Sequence, residues 1–232
     1  VVQQAGIEGK VSQSEQEEVE HSRIRAQGLE EIRDDVWQVL CRNFFQRYVC
    51  ADDVVLDLGA GECCFINNIR CKEKHAVDML PELESFAGEG VVYHCCRSDG
   101  IAEVDSDCVD VVFTSNFLEH LPDKETMKRT LREAWRVLKN GGRILILQPN
   151  ARLAPGAYWD PFEHRIPLTE RSVVEALQLT GFEPRVVIPR FMPWTMRSMV
   201  PKSPFLVKLY LRLPILWRVF GRQSFILAEK RG

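Results

Sequence analysis

The chain has no C-x-x-C pair, no uninterrupted apolar run of membrane-spanning length and no large excess of charge of either sign. Each absence removes a class of function. Eight cysteines include the adjacent pairs Cys63-Cys64 and Cys95-Cys96, and most fall in or beside apolar runs. That usage favours buried free thiols in a reducing cytosol over disulfides or a zinc site. Without a spanning run or a signal peptide, a membrane-inserted or secreted protein is not expected. The chain begins at Val1 rather than Met, so its natural start is expected further upstream. A net charge of -3 gives no global attraction to nucleic acid. What is present suits one large soluble domain: 232 residues, 45% hydrophobic and 27% charged.

The most informative stretch is Val54-Val55-Leu56-Asp57-Leu58-Gly59-Ala60-Gly61, a buried strand that ends in an acid and turns on two glycines. Phe65, Ile66 and Ile69 then carry the apolar face of a helix. Glycines there remove Cβ atoms that would hold a ligand away from the helix-start N–H groups. Asp57 adds a carboxylate, which suits a ligand with an amino or sulfonium group better than a pyrophosphate.

This turn, Asp57-Leu58-Gly59-Ala60-Gly61-Glu62-Cys63, resembles the first motif of the class I S-adenosylmethionine-dependent methyltransferases, D/E-x-G-x-G-x-G. Cys63 stands where the third glycine usually sits. The dinucleotide fingerprint G-x-G-x-x-G also loses its third glycine, at Cys64, and leaves Asp57 unexplained. Later segments resemble the same family in the same order over residues 50–190, and again at the last strand. The closest likeness is to its type 11 and type 12, small-molecule branch. The alternation of strands and helices by itself reads as a doubly wound α/β sheet, mostly parallel. The resemblance implies seven strands in a Rossmann-like sheet with the last one antiparallel and helices on both faces.

Taken in order, residues 1–28 are polar and acidic and are expected to be mobile. Residues 29–232 form the expected catalytic domain, opened by a helix from Leu29 to Tyr48 whose face is Trp37, Leu40, Cys41, Phe44, Phe45 and Tyr48. Lys74 to Met79 is a strand ending in Asp78, at the spacing where an acid meets ribose hydroxyls; a carboxylate accepts two bonds from a diol. Met79 follows it. Val91 to Cys96 is the third strand, and the resemblance implies that Asp99 approaches an adenine amino group with Gly100 beside it; an Asp-Gly turn without a ligand competes. Cys108 to Thr114 is the fourth, after which the resemblance points to Asn116 at the methionine end of the cofactor. His120 could take a proton from an acceptor hydroxyl. However, the E-H-L tripeptide also recurs in relatives with different substrates. Lys124 to Lys139 reads as a helix stopped by Asn140-Gly141-Gly142, with Arg143 to Leu147 the fifth strand.

The loop from Ala157 to Pro167 is rich in aromatic and titratable groups. Tyr158 and Trp159 could floor a sugar or ring site, or merely anchor the loop, and His164 is a second candidate base. The spacing of Glu163, His164 and His120 gives no convincing metal site. Thr169 caps a helix ending near Thr180, and Val186–Ile188 and Ser224–Ala228 are the last strands. Between them, an insert at about 191–222 is broken by prolines, apolar nearly all round and dotted with Lys208, Arg212 and Arg218. It could be a lid or lie on a membrane surface.

The resemblance implies S-adenosylmethionine as cofactor and S-adenosylhomocysteine as product, with Asp57, Gly59, Ala60, Gly61, Asp78, Met79, Asp99, Gly100 and Asn116 around it. The expected acceptor is a small molecule, a hydroxyl of a sugar, glycan or lipid-linked metabolite, with a quinone-like or natural-product acceptor as alternative. No nucleic-acid partner is expected, and the location is cytoplasmic or peripheral at the inner face of a membrane. Two other classes stay open, a non-catalytic scaffold and a nicotinamide-dependent oxidoreductase.

Overall fold

A computed structural model describes residues 30–193 and 203–231. Seven strands form one sheet in the order β3-β2-β1-β4-β5-β7-β6. They are β1 (Val54–Leu58), β2 (Glu73–Asp78), β3 (Val91–Cys95), β4 (Val109–Ser115), β5 (Leu138–Pro149), β6 (Phe182–Ile188) and β7 (Gln223–Lys230). β1 to β5 pair in parallel, and β7 runs antiparallel between β5 and β6. The six described α-helices are α1 (Glu30–Asn43), α2 (Cys64–Asn68), α3 (Lys124–Val137), α4 (Glu170–Leu179), α5 (Pro204–Arg212) and α6 (Pro214–Phe220).

Strand residues divide between the faces with period two, and both faces are apolar because both are covered. Leu56, Leu58, Val112, Ile144, Ile146 and Ile226 meet α3 and α4 through Leu131, Ala134, Val173 and Leu177. Val55, Val111, Phe113, Leu145, Phe225 and Leu227 meet α1, α2 and α5 through Leu40, Phe44, Phe65, Ile66 and Val207. Asp57 has the parity of Val55 and therefore faces the α1 and α2 side. The strand order reverses between β1 and β4, which puts a crevice beyond their carboxyl ends, where open α/β sheets bind ligands.

Several boundaries differ from the sequence expectation, and those at the first helix and around Gly141-Gly142 have a clear physical cause. The first helix ends at Asn43, and Phe45–Arg47 form a separate 3-10 turn. Phe44 and Phe45 leave the helical path to pack their rings together among buried neighbours. α3 stops at Val137, and Gly141-Gly142 lie inside β5 rather than ending the helix. Leu138 pairs with Val109, Lys139 Nζ binds the Asp110 carboxylate at 2.8 and 2.9 Å, and Lys230 Nζ donates to the Leu138 carbonyl. Sheet pairing and these lysines pull the chain out of the helix before the glycines arrive. The register shift between Val109 and Val111 accommodates the bend, with Gly141 at φ +75°. The cysteines are all free thiols, but only Cys41 and Cys63 are buried, fewer than their apolar neighbourhoods suggest.

The expected mobile segment at 1–28 lies outside the described residues, as does the middle of the insert, residues 194–202. The rest of the insert forms α5 and α6. Val207 and Leu211 pack into the α1 side of the core, Tyr210 donates its hydroxyl to the Phe191 carbonyl, and Trp217 Nε1 donates to the Tyr210 carbonyl.

Candidate cofactor and acceptor site

Two adjoining cavities open at the carboxyl ends of β1, β2 and β4, and Gly59 lines both. The first, of about 240 Å³, is bounded by Val77, Asp78 and Met79 after β2, Cys96 to Asp99 after β3, and Phe117, His120 and Leu121 after β4. The second, of about 310 Å³, is bounded by Trp37 of α1, Asp57, Ala60, Gly61 and Glu62, and Ser115 and Asn116. A third partner of the turn is Phe117: a Cβ on Gly59, whose φ is +71°, would overlap its ring. The turn and the aromatic ring therefore touch where the two cavities meet, and only glycine fits there.

The acids at the strand ends have different surroundings. Asp78 accepts the Gly61 N–H at 3.0 Å and the Leu80 N–H at 3.3 Å, bracing the glycine turn from the first cavity's side. Burial raises its pKa, and the backbone donors oppose that. Asp57 is 3% exposed, and the backbone N–H of Ile66 in α2 opposes the effect of that burial on its carboxyl. Burial pushes it from the ordinary 3.8 up to about 8. Folded chains thus hold this proton through a range in which unfolded chains have lost it. Stability from Asp57 is then complete below its unfolded pKa and drains away as pH rises toward about 8, at most ~1.4 kcal/mol per pH unit. Urea unfolding of Asp57→Asn, which keeps the size of the side chain but cannot titrate, is expected to show a shallower loss of stability than the wild type between about pH 5 and pH 8.

Cys63 shows why its position usually holds glycine: it sits in the left-handed region at φ +57°. Its side chain is wholly buried with Val55, Phe65 and Ile66, and lines neither cavity. Substitution for glycine therefore strains the backbone without narrowing the cleft, which removes the chief support for a scaffold that has lost its ligand. Asn116 is likewise left-handed, at φ +48°, on the wall of the second cavity.

The other expected residues divide. Met79 and Asp99 line the first cavity, but Gly100 lines neither. Asp99 is already engaged, with Arg97 Nε at 3.1 Å and Arg129 Nη2 at 2.9 Å. Burial alone would raise its pKa, and the two guanidiniums together bring it below the ordinary carboxylate value. The carboxylate is thus spent on arginines, and an adenine amino group would have to compete for it.

Tyr158 is fully buried; its hydroxyl donates to the Ile166 carbonyl at 2.6 Å and accepts the Leu168 N–H at 3.0 Å. Neither Tyr158 nor Trp159 lines a cavity, and Trp159 is half exposed. Of the two roles open from sequence, Tyr158 has the loop anchor. Tyr158→Phe strands a buried N–H and carbonyl and is expected to lower unfolding free energy by about 1–3 kcal/mol in a denaturant titration.

The anchored loop brings together two histidines far apart in the chain. Arg165 and Ile166 N–H groups both donate to the Glu119 carbonyl, at 2.9 and 3.1 Å, and this seats His164 with its ring 5.0 Å from that of His120. His120 lines the first cavity, while His164 lies behind it, against Tyr158. Glu119 is fully buried beside them, and burial pushes its pKa up to about 8.

Several of these wall residues escaped the sequence reading. The helical spacing of Trp37 marks it only as a core residue, yet it meets the stacked rings of Phe113 and Phe65, 3.6 Å apart, edge to face and forms one wall of the second cavity. Phe117, Ser98 and Arg165 carried no signal beyond their nearness to motif positions. Glu119 carried one, an acid set in an apolar run.

The chain is similar to known methyltransferases in part of its sequence and in its fold. A family model described as a methyltransferase domain matches residues 56–146. A protein of Encephalitozoon cuniculi described as a methyltransferase is 28% identical over 109 residues, 46% of this chain and 50% of that protein. The match thus spans about half the length of that curated relative. Among solved structures, an S-adenosylmethionine-dependent methyltransferase from Archaeoglobus fulgidus superposes with a TM-score of 0.61 at 20% identity, covering 92% of this chain and 99% of its own. A Haloferax volcanii methyltransferase, solved in complex with the activator Trm112, gives 0.64 at 17% identity, covering 92% and 98%. Residues 56–146 thus match the methyltransferase-domain family model, and the chain has the fold of the class I S-adenosylmethionine-dependent methyltransferases.

Proposed function

We propose that this protein binds S-adenosylmethionine across the two cavities and methylates a hydroxyl of a small polar acceptor, one presented on or near a lipid. The observation that carries the cofactor reading is the Gly59 turn shared by both cavities, with the Asp78 carboxylate on one side and Asp57 and Asn116 on the other. A bare backbone at that junction is what a ligand running from one cavity to the other requires. The first cavity, with Asp78, Met79 and Ser98, suits a nucleoside; the second, with Asp57, Glu62 and Ser115, suits an amino-acid end.

When bound, S-adenosylmethionine supplies a methyl group already activated by a sulfonium charge and leaves as S-adenosylhomocysteine. The protein's contribution is then mostly orientation and exclusion of water. Phe117 and Trp37 supply apolar walls. His120, half-buried on the wall of the first cavity, is the base in this reading, an imidazole whose chemistry suits taking a hydroxyl proton.

A lipid-linked acceptor is supported by the outer face of α5 and α6. Phe205, Leu209, Ile215, Val219 and Phe220 are exposed there, interspersed with exposed Lys208, Arg212 and Arg218, and residues 204–222 contain no acid. Apolar side chains among cations suit an anionic membrane surface. No helix among the described residues is long and apolar enough to cross a membrane.

Calorimetric titration with S-adenosylmethionine and S-adenosylhomocysteine tests the cofactor reading. Transfer of a labelled methyl group to glycan, glycolipid and quinol acceptors then tests the acceptor. Saturable cofactor binding with turnover on glycans or glycolipids supports the proposal. Binding with turnover on quinols alone replaces the acceptor class, and absence of binding overturns the whole reading.

A further inference from the structure

The cluster of Glu119, His120 and His164 has a feature that proton transfer alone leaves unexplained. Glu119 is 0% exposed, yet neither of its carboxyl oxygens accepts a hydrogen bond. A buried carboxyl without a hydrogen-bond donor costs several kcal/mol in general, and such a group in a folded protein needs a physical reason: strain, a chemical role, or a water or ion that it binds. Two imidazoles lie close to it. His120 Nε2 lies 3.9 Å from Glu119 Oε1, and one donor atom from each of Glu119, His120 and His164 falls within 4.8 Å of the other two.

From this geometry we infer that Glu119, His120 and His164 form a binding site for a divalent transition-metal ion on the wall of the first cavity. Two imidazole nitrogens and one carboxylate oxygen are the donor set of zinc-type and related first-row ions, whereas magnesium and calcium prefer all-oxygen shells. Bonds of roughly 2.0–2.2 Å to each donor need donor separations of about 3–4 Å, so the three side chains must draw in by about 1 Å. Tertiary structure already holds both segments for this. The Leu118–His120 turn carries two ligands, and the Glu119 carbonyl fixes the loop carrying the third by accepting the Arg165 and Ile166 N–H groups. His120 also borders the cavity, so three protein ligands would leave further coordination positions on that side. Sequence spacing hid this site because Glu119 and His164 are 45 positions apart.

Metal binding is independent of the methyl-transfer reading. Only a role for the ion in holding an acceptor oxygen would rest on that reading, and His120 would then serve as a ligand in place of accepting the proton. The test uses Co²⁺ on the full chain after chelator treatment, followed by visible absorption, with no cofactor present. One Co²⁺ per chain is expected, displaced by Zn²⁺ and indifferent to Mg²⁺. Glu119→Gln and His164→Gln should each weaken it at least about tenfold. The free cysteines give an internal control, since thiolate ligation adds an intense near-ultraviolet charge-transfer band that a nitrogen and oxygen site lacks. Glu119→Gln preserves the shape of the buried side chain, so it decides the matter alone if the His164 variant does not fold. Absence of Co²⁺ binding, a thiolate band, or undiminished binding in Glu119→Gln would overturn the proposal.

Discussion

Replacing Asp78 with alanine is expected to weaken S-adenosylmethionine binding by about 10- to 100-fold, measured by calorimetry at neutral pH. The magnitude follows from the ~1.5–3 kcal/mol general for hydrogen bonds to a charged group. Two effects combine in this variant. The carboxylate lines the first cavity, where it can accept from paired hydroxyls, and it also holds the Gly61 and Leu80 N–H groups. Loss of the second effect would let the turn relax, so part of the cost belongs to preorganisation. Asp78→Asn separates the two: its amide oxygen can still accept from Gly61 but cannot match a carboxylate toward a diol. An Asn variant that binds like wild type would assign the residue to bracing the turn. Wild-type affinity in both variants would remove Asp78 from the site.

Gly59→Ala carries the second large effect, and it should disturb both stability and binding. A left-handed backbone costs a non-glycine residue roughly 1–2 kcal/mol. At φ +71° the new Cβ also overlaps the Phe117 ring, and overpacking of that kind costs about 1–3 kcal/mol more. The ring can escape only by leaving the junction of the cavities. Thermal unfolding should therefore show a lowered midpoint, and cofactor affinity should fall at least about tenfold at a temperature where the variant remains folded. Gly61→Ala is a useful contrast. Its φ of +52° brings the backbone cost, but a Cβ there meets nothing within 4 Å. Equal damage from both would attribute the effect to backbone strain, and greater damage from Gly59→Ala would attribute it to the contact with Phe117. A Gly59→Ala protein with wild-type stability and affinity would show that Phe117 moves freely and that the close approach is dispensable.

The strands and the order of the motifs were legible in the sequence because each depends on local pattern. Val54 to Gly61 announces a strand and its turn by apolar continuity and glycine placement. Thr169 announces a helix start by its hydroxyl, which accepts the Ser172 N–H at 3.1 Å in a reciprocal capping box. Gly141-Gly142 misled for the same reason. Glycine pairs after a helix are ordinarily its end, but here pairing between Leu138 and Val109 and the Lys139–Asp110 ion pair compete with the last turn and win. Local propensity is a weak prior against sheet pairing of this kind.

What the sequence determined by itself was the α/β alternation, the acid-glycine turn after β1 and the acid at the end of β2. These are set by residues close together in the chain, where spacing translates directly into geometry. The destinations of the side chains beyond them were decided by tertiary structure alone. Cys63 turns into the core, Tyr158 gives its hydroxyl to the backbone, Asp99 is taken by Arg97 and Arg129, and Trp37 forms a cavity wall. The pairing of His120 with His164 beside a buried Glu119 belongs to the same class. It depends on a loop returning to accept its place at the Glu119 carbonyl. Contacts across dozens of residues are chosen by packing and by the need to satisfy buried polar groups, and neither has a period that a sequence displays.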